Sequence, residues 1–450
     1  MGEVEKRSQR LVRTIAPAIL VAIGLGGCGG SLPSLPKISD LNPFAEKQQP
    51  LPGKRIPVMQ ARDNIGAELA AADKPVVLPP PRVNEAWTQP GGEPSNAPGH
   101  LALSGSLKRA WSADVGTGST SKGKLTASPL VYGGRVFTLD ATARVTAFSA
   151  SGGSAVWRVS LVPENEREEG GYGGGLAIDN GRLYVATGFG TVVALDPGTG
   201  KVLWRKNIGV PVRASPTAVN DKVFVVTTEG HVFALAGFDG GELWTFRGIP
   251  ERTSIISNPS PAVDGGVVVV PYPSGELVAL HADDGTPVWT ESLARTRTVS
   301  SLASLSDAAR PAIADGVVYA VGHAGRLIAT EIKTGERLWS LSVPGTQAPV
   351  IAGDNIFVVD TTGQLHAITR RDGKVIWTVK LPGTSTWSGP TLAGNLLWLT
   401  SNKGQLVGVD PATGRVTAQQ SLGTPVYIAP VVAGGRMYVL TDEARLVAFN

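Results

Sequence analysis

Cysteine, charge and long apolar runs are all scarce in this 450-residue chain. Cys28 is its single cysteine, so an oxidising compartment would give the chain no internal disulfide. Charged residues make up 17% and methionine occurs three times, whereas glycine occurs 56 times and proline 33 times. This balance favours many short strands joined by tight turns over a helical protein.

Residues typical of catalysis, metal binding or nucleic-acid binding also do not cluster. The formal net charge is +4, without a basic cluster interleaved with aromatics, so we expect no nucleic-acid partner. The acidic run Glu164–Glu169 is expected to face solvent, and Gly170–Gly175 lacks the Lys and Ser/Thr that follow a phosphate loop. The histidines stand singly, without metal-ligand spacing. We therefore predict no catalytic residue, no metal site and no cofactor.

The first 27 residues have the pattern of a signal peptide. A basic start precedes the mostly apolar stretch Ile15–Leu25, which is shorter than the roughly 20 residues that span a bilayer core. The stretch ends in Leu25-Gly26-Gly27-Cys28, which resembles the lipobox of bacterial lipoproteins. Cys28 is thus the predicted lipidation site, with a plain secretory signal as the alternative. By resemblance to the enterobacterial sorting rule, Gly29 indicates the periplasmic face of the outer membrane.

Residues 28–100 are crowded with Pro, Gly, Ser, Asn and charge, as in Val77-Leu78-Pro79-Pro80-Pro81. This composition predicts an extended tether that follows the lipidated cysteine. Partial order is the alternative, in which Ile56–Val58 and Asn84–Trp87 lie along the body. An isolated Trp87 would be unfavourable in water, which favours docking.

A repeat begins after Leu101. Tryptophan recurs at intervals of about 40 to 50 residues, a period typical of four-stranded propeller blades. The repeated residues are Trp111, Trp157, Trp204, Trp244, Trp289, Trp339 and Trp377, with Ala418 in the next equivalent place. From Trp157 onward, a glycine stands four residues earlier, as Gly200 does before Trp204. The turn Asp196–Gly200 predicts a hairpin between two strands, since Pro fixes φ and Gly accepts positive φ.

The number of repeats and the position of the first tryptophan predict how the ring closes. A small residue and a proline lead into the innermost strand of most repeats, as in Ser215-Pro216, whereas the second repeat has Gly173-Gly174-Gly175. The last repeat reaches Val447–Phe449 without a tryptophan strand, and Trp111 has no preceding hairpin. Residues 101–450 are thus predicted to be all-β: an eight-bladed β-propeller of four-stranded antiparallel blades, with an N-terminal strand closing the last blade. The repeated tryptophans are expected to pack between blades.

The repeat unit Val193–Trp204 resembles that of pyrroloquinoline-quinone enzymes, and this likeness covers nearly all of residues 101–450. It identifies the blade and not the chemistry. A lipobox, a Pro-rich tether and an eight-bladed body without additions resemble the BamB family, lipoproteins of the outer-membrane β-barrel assembly (BAM) machinery. This resemblance implies a non-catalytic scaffold that docks on the POTRA domains of BamA, joins other BAM subunits and aids insertion of outer-membrane proteins.

The family resemblance also implies a docking surface made of loops from adjacent blades. Leu305-Ser306-Asp307 matches the family pattern ahead of Arg310-Pro311, although Ala309 stands where the family has a second acidic residue. Ser254–Ser257 keeps the apolar character of the neighbouring loop but lacks its arginine, for which Arg252 is a candidate. The resemblance thus implies Ile255, Ile256 and Asp307 as partner-binding residues.

Two other functions stay open at this point. A membrane-tethered dehydrogenase dependent on pyrroloquinoline quinone would need an anionic cofactor, a Ca²⁺ site and a general base. The chain has neither the adjacent cysteines common beside that cofactor nor a Cys-x-x-Cys-His haem motif. Alternatively, the outer edges of the blades could capture unfolded outer-membrane protein strands by main-chain pairing.

Overall fold

The computed structural model of the protein describes residues 75–104, 107–121, 123–248, 259–293, 308–323 and 325–450. All of them belong to one compact unit, Ala61–Asn450. Across these ranges, thirty-two strands form eight four-stranded antiparallel sheets, each of which is one blade of a ring. The predicted eight-bladed β-propeller is confirmed. None of the helices in these ranges is long and apolar enough to cross a membrane.

The first four blades are formed by consecutive strands. Blade 1 contains β2 (Leu130–Tyr132), β3 (Arg135–Leu139), β4 (Arg144–Ser149) and β5 (Ala155–Ser160). Blade 2 contains β6 (Gly174–Asp179), β7 (Arg182–Thr187), β8 (Thr191–Leu195) and β9 (Val202–Asn207), preceded by a short 3-10 helix (Glu168–Gly170). Blade 3 contains β10 (Thr217–Val219), β11 (Lys222–Val226), β12 (His231–Ala236) and β13 (Glu242–Arg247). Blade 4 contains β14 (Ala262–Asp264), β15 (Val267–Pro271), β16 (Glu276–His281) and β17 (Pro287–Ser292).

Three further blades repeat this order and the eighth departs from it. Blade 5 contains β18 (Ala312–Ala314), β19 (Val317–Val321), β20 (Leu327–Glu331) and β21 (Arg337–Leu341). Blade 6 contains β22 (Val350–Ala352), β23 (Asn355–Val359), β24 (Gln364–Thr369) and β25 (Val375–Lys380). Blade 7 contains β26 (Trp387–Ala393), β27 (Leu396–Ser401), β28 (Gln405–Val409) and β29 (Val416–Ser421). Blade 8 contains β30 (Val431–Ala433), β31 (Arg436–Leu440), β32 (Arg445–Phe449) and, as its outermost strand, β1 (Arg109–Asp114).

Blade 8 closes the ring with strands from both ends of the repeat region. β1 pairs antiparallel with β32, and Trp111 stands opposite Ala448. The backbones of Lys108 and Asn450 exchange hydrogen bonds of 3.1 and 2.9 Å where these strands meet. The predicted closure by the Trp111 strand is confirmed.

The burial of each strand follows its place in the blade. The middle strands lie between neighbouring sheets, so both of their faces are covered and they read as continuous apolar runs, such as the fully buried β8. The outermost strands alternate instead, and β9 half-buries Trp204 and Lys206 while exposing its other side chains. This difference explains why apolar runs mark the middle strands whereas tryptophan marks the outer ones.

The repeated tryptophans join one blade to the next. Trp157, on the outermost strand of blade 1, stands opposite Ala147 of the same blade, and its indole Nε1 donates a 3.1 Å hydrogen bond to the carbonyl of Pro197 in blade 2. The same bond links each of the other repeated tryptophans to the hairpin of the following blade. A Cβ on Gly200, in that hairpin, would lie 2.7 Å from the Trp157 ring. Each hairpin glycine is therefore matched to the tryptophan of the preceding blade.

Ala418 interrupts the tryptophan series in blade 7. The following blade has no hairpin between its third and outermost strands, because β32 and β1 come from opposite ends of the repeat region. An indole at position 418 would therefore have no glycine hairpin to contact. Trp398, on β27, fills the space instead, and its ring lies close enough to Gly408 that a Cβ there would approach it to 2.9 Å. The exception thus follows from the way in which the ring closes.

Candidate functional site

The central channel of the ring is the candidate site, and residues 84–101 occupy part of it. We call this segment the plug. Each innermost strand presents one unpaired edge to the channel, and its buried N–H and C=O groups require partners. The plug supplies those partners as it passes the blades in ring order, from Asn84 at blade 8 to Leu101 at blade 7.

Backbone hydrogen bonds hold the plug against six blades, including blade 8, where the carbonyl of Asn84 accepts a 2.7 Å bond from Gly434. Trp87 and Val131 of blade 1 exchange two bonds of 2.8 and 2.9 Å. The carbonyls of Thr88, Pro94 and Ser95 each accept a 2.8 Å bond from the innermost strands of blades 2, 4 and 5; the donors are Ile178, Val263 and Ile313. The amide of Leu101 donates a 3.1 Å bond to Leu392 of blade 7.

Three amide side chains complete the attachment. Gln89 donates from Nε2 to Ile178 of blade 2 and Ala218 of blade 3, at 3.0 and 2.7 Å. Asn96 donates from Nδ2 to Pro261 of blade 4 and Pro311 of blade 5. Asn84 donates to Val432 of blade 8 at 2.7 Å. All three side chains are buried. Each therefore supplies a hydrogen bond to backbone carbonyls that water cannot readily reach.

The plug also carries apolar anchors. Trp87 is 5% exposed and packs in the core shared by blades 7, 8, 1 and 2, and Leu101 is fully buried in the same core. Immediately before the plug, Val76 packs against blades 6 and 7, and Val77 accepts a 3.0 Å bond from Asn355 of blade 6. The described part of the predicted tether, residues 75–100, therefore packs on the propeller, as the docking alternative for Trp87 expected.

The rest of the channel is a cavity of about 400 Å³ on the other side of the plug. Residues that precede the innermost strands line it, among them Ser128, Arg310 and Gln347, together with Asp360 from the β23–β24 turn. A smaller space of about 50 Å³ connects Arg310 and Gln347 to the plug residues Trp87 and Asn96. The channel is thus a funnel whose floor is the plug.

Two ionisable side chains of the cavity have shifted pKa values. Burial lowers the pKa of Arg310 to about 10, and the described residues offer it no ion-pair partner. Burial opposes ionisation of Asp360, but hydrogen bonds from His366, Gln364 and Thr362 outweigh it and hold the pKa of that carboxyl below its ordinary value. Because the Asp360 oxygens already accept these bonds, the carboxylate stabilises the β23–β24 turn and is not directed at Arg310.

The predicted partner-binding residues Ile255, Ile256 and Asp307 lie outside the described residues, as does the predicted lipidation site Cys28. Their described neighbours Pro259, Ala309 and Arg310 line the cavity. The groups of three or more His, Cys, Asp or Glu side chains that would hold a metal ion are absent from the described ranges.

Sequence reasoning did not select the plug amides or Arg310 as site residues. One signal was available for Arg310, which occupies the position before proline where the other repeats have a small residue. These residues are Ser128, Ser215, Ser260, Ala348, Gly389 and Ala429. A long cation at the innermost turn of a narrow channel marks the position as unusual.

The Trp-linked four-stranded blades and the closed ring define the class of this protein, a β-propeller built from quinoprotein-type repeats. A family model described as "Outer membrane protein assembly factor BamB" matches residues 141–379 and 363–450. The chain therefore belongs to the BamB family, which confirms the resemblance seen in its repeats.

Curated relatives and solved structures agree with this assignment. The chain is 24% identical to the outer membrane protein assembly factor BamB of Yersinia pestis, over 76% of this chain and 88% of the relative. It is 26% identical to that of Burkholderia pseudomallei, over the same shares. The crystal structure of BamB from Moraxella catarrhalis superposes with a TM-score of 0.65 at 20% identity, covering 77% of this chain and all of the other.

A quinohemoprotein alcohol dehydrogenase from Comamonas testosteroni superposes equally well. Its TM-score is 0.66 at 15% identity, over 81% of this chain and 80% of the enzyme. At such identities both superpositions show the fold alone, since one fold hosts many functions. The family match, and not the superposition, supports the role of an outer-membrane assembly factor.

Proposed function

We propose that this protein is a non-catalytic scaffold of the outer-membrane β-barrel assembly machinery. The observation that carries the proposal is the family match between residues 141 and 450, which covers blades 2 to 7 completely and blades 1 and 8 in part. Depletion of the protein should lower the amount of folded β-barrel proteins in the outer membrane, measured by heat-modifiable migration. A pull-down from detergent-solubilised membranes that recovers no barrel-assembly subunit would count against the proposal.

The scaffold is anchored by an acylated Cys28 at the periplasmic face of the outer membrane. Acyl chains bind a bilayer by about 0.8 kcal/mol per buried methylene, which holds a protein at the surface without spanning it. Metabolic labelling with palmitate should mark the chain, and Cys28→Ala should abolish the label and release the protein into the periplasmic fraction. A label that persists in Cys28→Ala would show that the anchor lies elsewhere.

The scaffold docks on the POTRA domains of BamA through the loops that carry Ile255, Ile256 and Asp307. Support comes from their chain neighbours Pro259 and Arg310, which line the funnel. We expect the partner to bind on this side of the ring, where the described neighbours of both loops lie.

Asp307→Arg tests the docking surface. The substitution should weaken binding to purified POTRA domains by about 2 kcal/mol or more if the charge is desolvated at the interface. Asp264→Arg is the matched control, because Asp264 is an exposed acid beside the plug end of blade 4. If Asp307→Arg and the unmodified chain bound the POTRA domains with equal affinity, the interface would lie elsewhere.

The outer blade edges provide a second contact for client proteins. The outermost strand of each blade pairs on one side only, and its outer edge is open to an extended chain. We propose that unfolded outer-membrane protein strands pair with such an edge. Site-specific photocrosslinkers on β9 and β13 should trap client chains during assembly, whereas crosslinkers on the buried β8 should not.

An enzymatic role as a membrane-tethered quinone-dependent dehydrogenase is the alternative. The superposition on an alcohol dehydrogenase favours it at the level of the fold. Reconstitution with pyrroloquinoline quinone and Ca²⁺, followed by dye-linked oxidation of alcohols and sugars, distinguishes the two functions. The scaffold proposal expects no turnover.

A further inference from the structure

The funnel concentrates buried hydrogen-bond donors that have no partner. Within the described residues, the Nε of Arg310 and the indole Nε1 of Trp387 are both buried without an acceptor, and both residues line the 400 Å³ cavity. The Nδ1 of His323 is a third buried nitrogen of this cavity without a partner. Trp87 Nε1, at the floor, is a fourth.

Such a concentration is unusual, because nearly all buried polar groups in folded proteins find a partner. The half-buried Arg310 adds a positive charge that has no counter-charge among the described residues, which makes its buried Nε more unfavourable still. The carboxylate of the cavity, Asp360, is already bonded to its own turn and to His366. The donors of the funnel therefore lack a matching acceptor among the described residues.

The walls limit what that acceptor is. Leu125, Val359 and Ile428 give the funnel apolar sides, and Trp387 adds an indole face. A small inorganic anion would meet the donors but leave these walls in contact with water. An organic anion satisfies both, since its carboxylate matches the planar fork of a guanidinium and its carbon skeleton covers the apolar wall.

We propose that the funnel binds an organic anion through a carboxylate held by Arg310, with Trp387 and His323 as further contacts. The carboxylate belongs either to a small free polycarboxylate or to the C-terminal end of a polypeptide. The proposal stands independently of the scaffold function, since it concerns the channel and not the loops.

Calorimetric titration of the full mature chain with defined probes tests the proposal. The probes are citrate, a five-residue apolar peptide with a free C-terminal carboxylate, the same peptide as its C-terminal amide, and inorganic phosphate. We expect saturable one-to-one binding of citrate or of the free-acid peptide, with the amide and phosphate weaker by about tenfold or more. Binding of citrate identifies a free anion as the ligand, and binding of the free-acid peptide identifies a chain terminus.

Three variants connect binding to the proposed site. Arg310→Met should lower the affinity for the probe by about tenfold or more. Arg310→Lys, which keeps the charge, should retain part of the affinity. Arg213→Met is the control, because Arg213 is an exposed arginine stacked over Tyr172 outside the funnel. Equal affinity of Arg310→Met and the unmodified chain, binding of phosphate alone, or no binding of any probe would overturn the proposal.

Thermal unfolding without ligand distinguishes a variant that has lost the binding site from a variant that folds poorly. Replacing a half-buried cation that has no counter-charge among the described residues with methionine should leave the melting temperature unchanged or raise it. A loss of binding together with an undiminished melting temperature assigns Arg310 to the ligand. A fall in the melting temperature of Arg310→Met would show that the guanidinium supports the fold, and would overturn its assignment.

Discussion

Gln89 forms two hydrogen bonds with the backbone of Ala218, donating from Nε2 to its carbonyl at 2.7 Å and accepting its amide on Oε1 at 3.0 Å. A single side chain thus pairs with an innermost strand as a neighbouring strand would. A third bond, to Ile178, extends this pairing to the adjacent blade. The plug is therefore part of the folded body and not a loose extension of it.

Gln89→Leu should destabilise the protein by about 2 to 4 kcal/mol, because it leaves the buried backbone groups of Ile178 and Ala218 without partners. Urea unfolding monitored by circular dichroism measures the change. Gln419→Leu is the control, since Gln419 is exposed and bonds only to the side chain of Gln405; it should change stability by less than about 0.5 kcal/mol. Equal effects of the two substitutions would mean that the plug does not contribute to stability.

Trp157→Ala should cost about 3 to 5 kcal/mol, since it empties the space between blades 1 and 2 and removes the bond to Pro197. Trp157→Phe keeps much of the ring but removes the donor, and should cost less. Thermal unfolding of both variants separates packing from hydrogen bonding. If the two variants were equally unstable, the hydrogen bond and not the packing would dominate the interface.

Gly200→Ala tests whether hairpin glycines are fixed by the neighbouring tryptophan. Gly200 has a φ of 74°, and a Cβ there would also collide with the Trp157 ring, so we expect a loss of about 2 to 4 kcal/mol. Gly209 has a φ of 75° and open space around it, so Gly209→Ala reports the backbone strain alone, about 1 kcal/mol. Chemical denaturation of both variants measures the difference. Identical losses of stability in the two variants would show that the Trp157 ring moves aside without lowering the free energy of unfolding.

Asp360→Asn should lower stability at neutral pH by about 1 to 2 kcal/mol, because the charged acceptor of bonds from His366 and Gln364 becomes neutral. The pKa of Asp360 is depressed in the folded state, so its contribution is complete above the unfolded-state pKa of about 3.9 and is lost as pH falls through the folded-state value. The free energies of unfolding of the two proteins should therefore converge below about pH 4.

Unfolding at several pH values measures this convergence. Asp239→Asn, at an exposed turn of blade 3, controls for the loss of a surface carboxylate and should change stability by less than about 0.5 kcal/mol. A constant difference between Asp360→Asn and the unmodified protein across the acidic range would contradict the assignment.

The ring could be predicted from sequence because its signal is periodic. From Trp157 onward, the glycine four residues before each tryptophan predicted the number of blades. The Trp111 strand, which has no preceding hairpin, predicted how the ring closes. The structure adds why Gly174 and Gly175 replace the usual small residue and proline in blade 2. A Cβ on Gly174 would lie 2.0 Å from the carbonyl oxygen of Ala186, and one on Gly175 would lie 1.9 Å from Ser215. These contacts cross strands and blades, which no local pattern records.

The funnel and its plug could not be predicted in the same way. Asn84, Gln89 and Asn96 lie in an irregular segment with no period, and their partners are backbone groups far away in sequence, such as Ala218 for Gln89. Arg310 was visible as a departure from the repeat, but its lack of a counter-charge among the described residues depends on which side chains the ring brings together. Composition alone therefore described residues 75–100 as a tether.

The bond between Ser119 and Asp442 joins positions 323 residues apart, next to the pairing of β1 with β32. At a synthesis rate of about 5 to 20 residues per second, the chain takes about 15 to 65 seconds to extend from the earlier partner to the later one. Until both partners are present, blade 8 lacks its outermost strand, and the edge of β32 is open to pairing with another chain. Pairing of β1 with β32 thus covers an edge through which incomplete molecules could associate with one another.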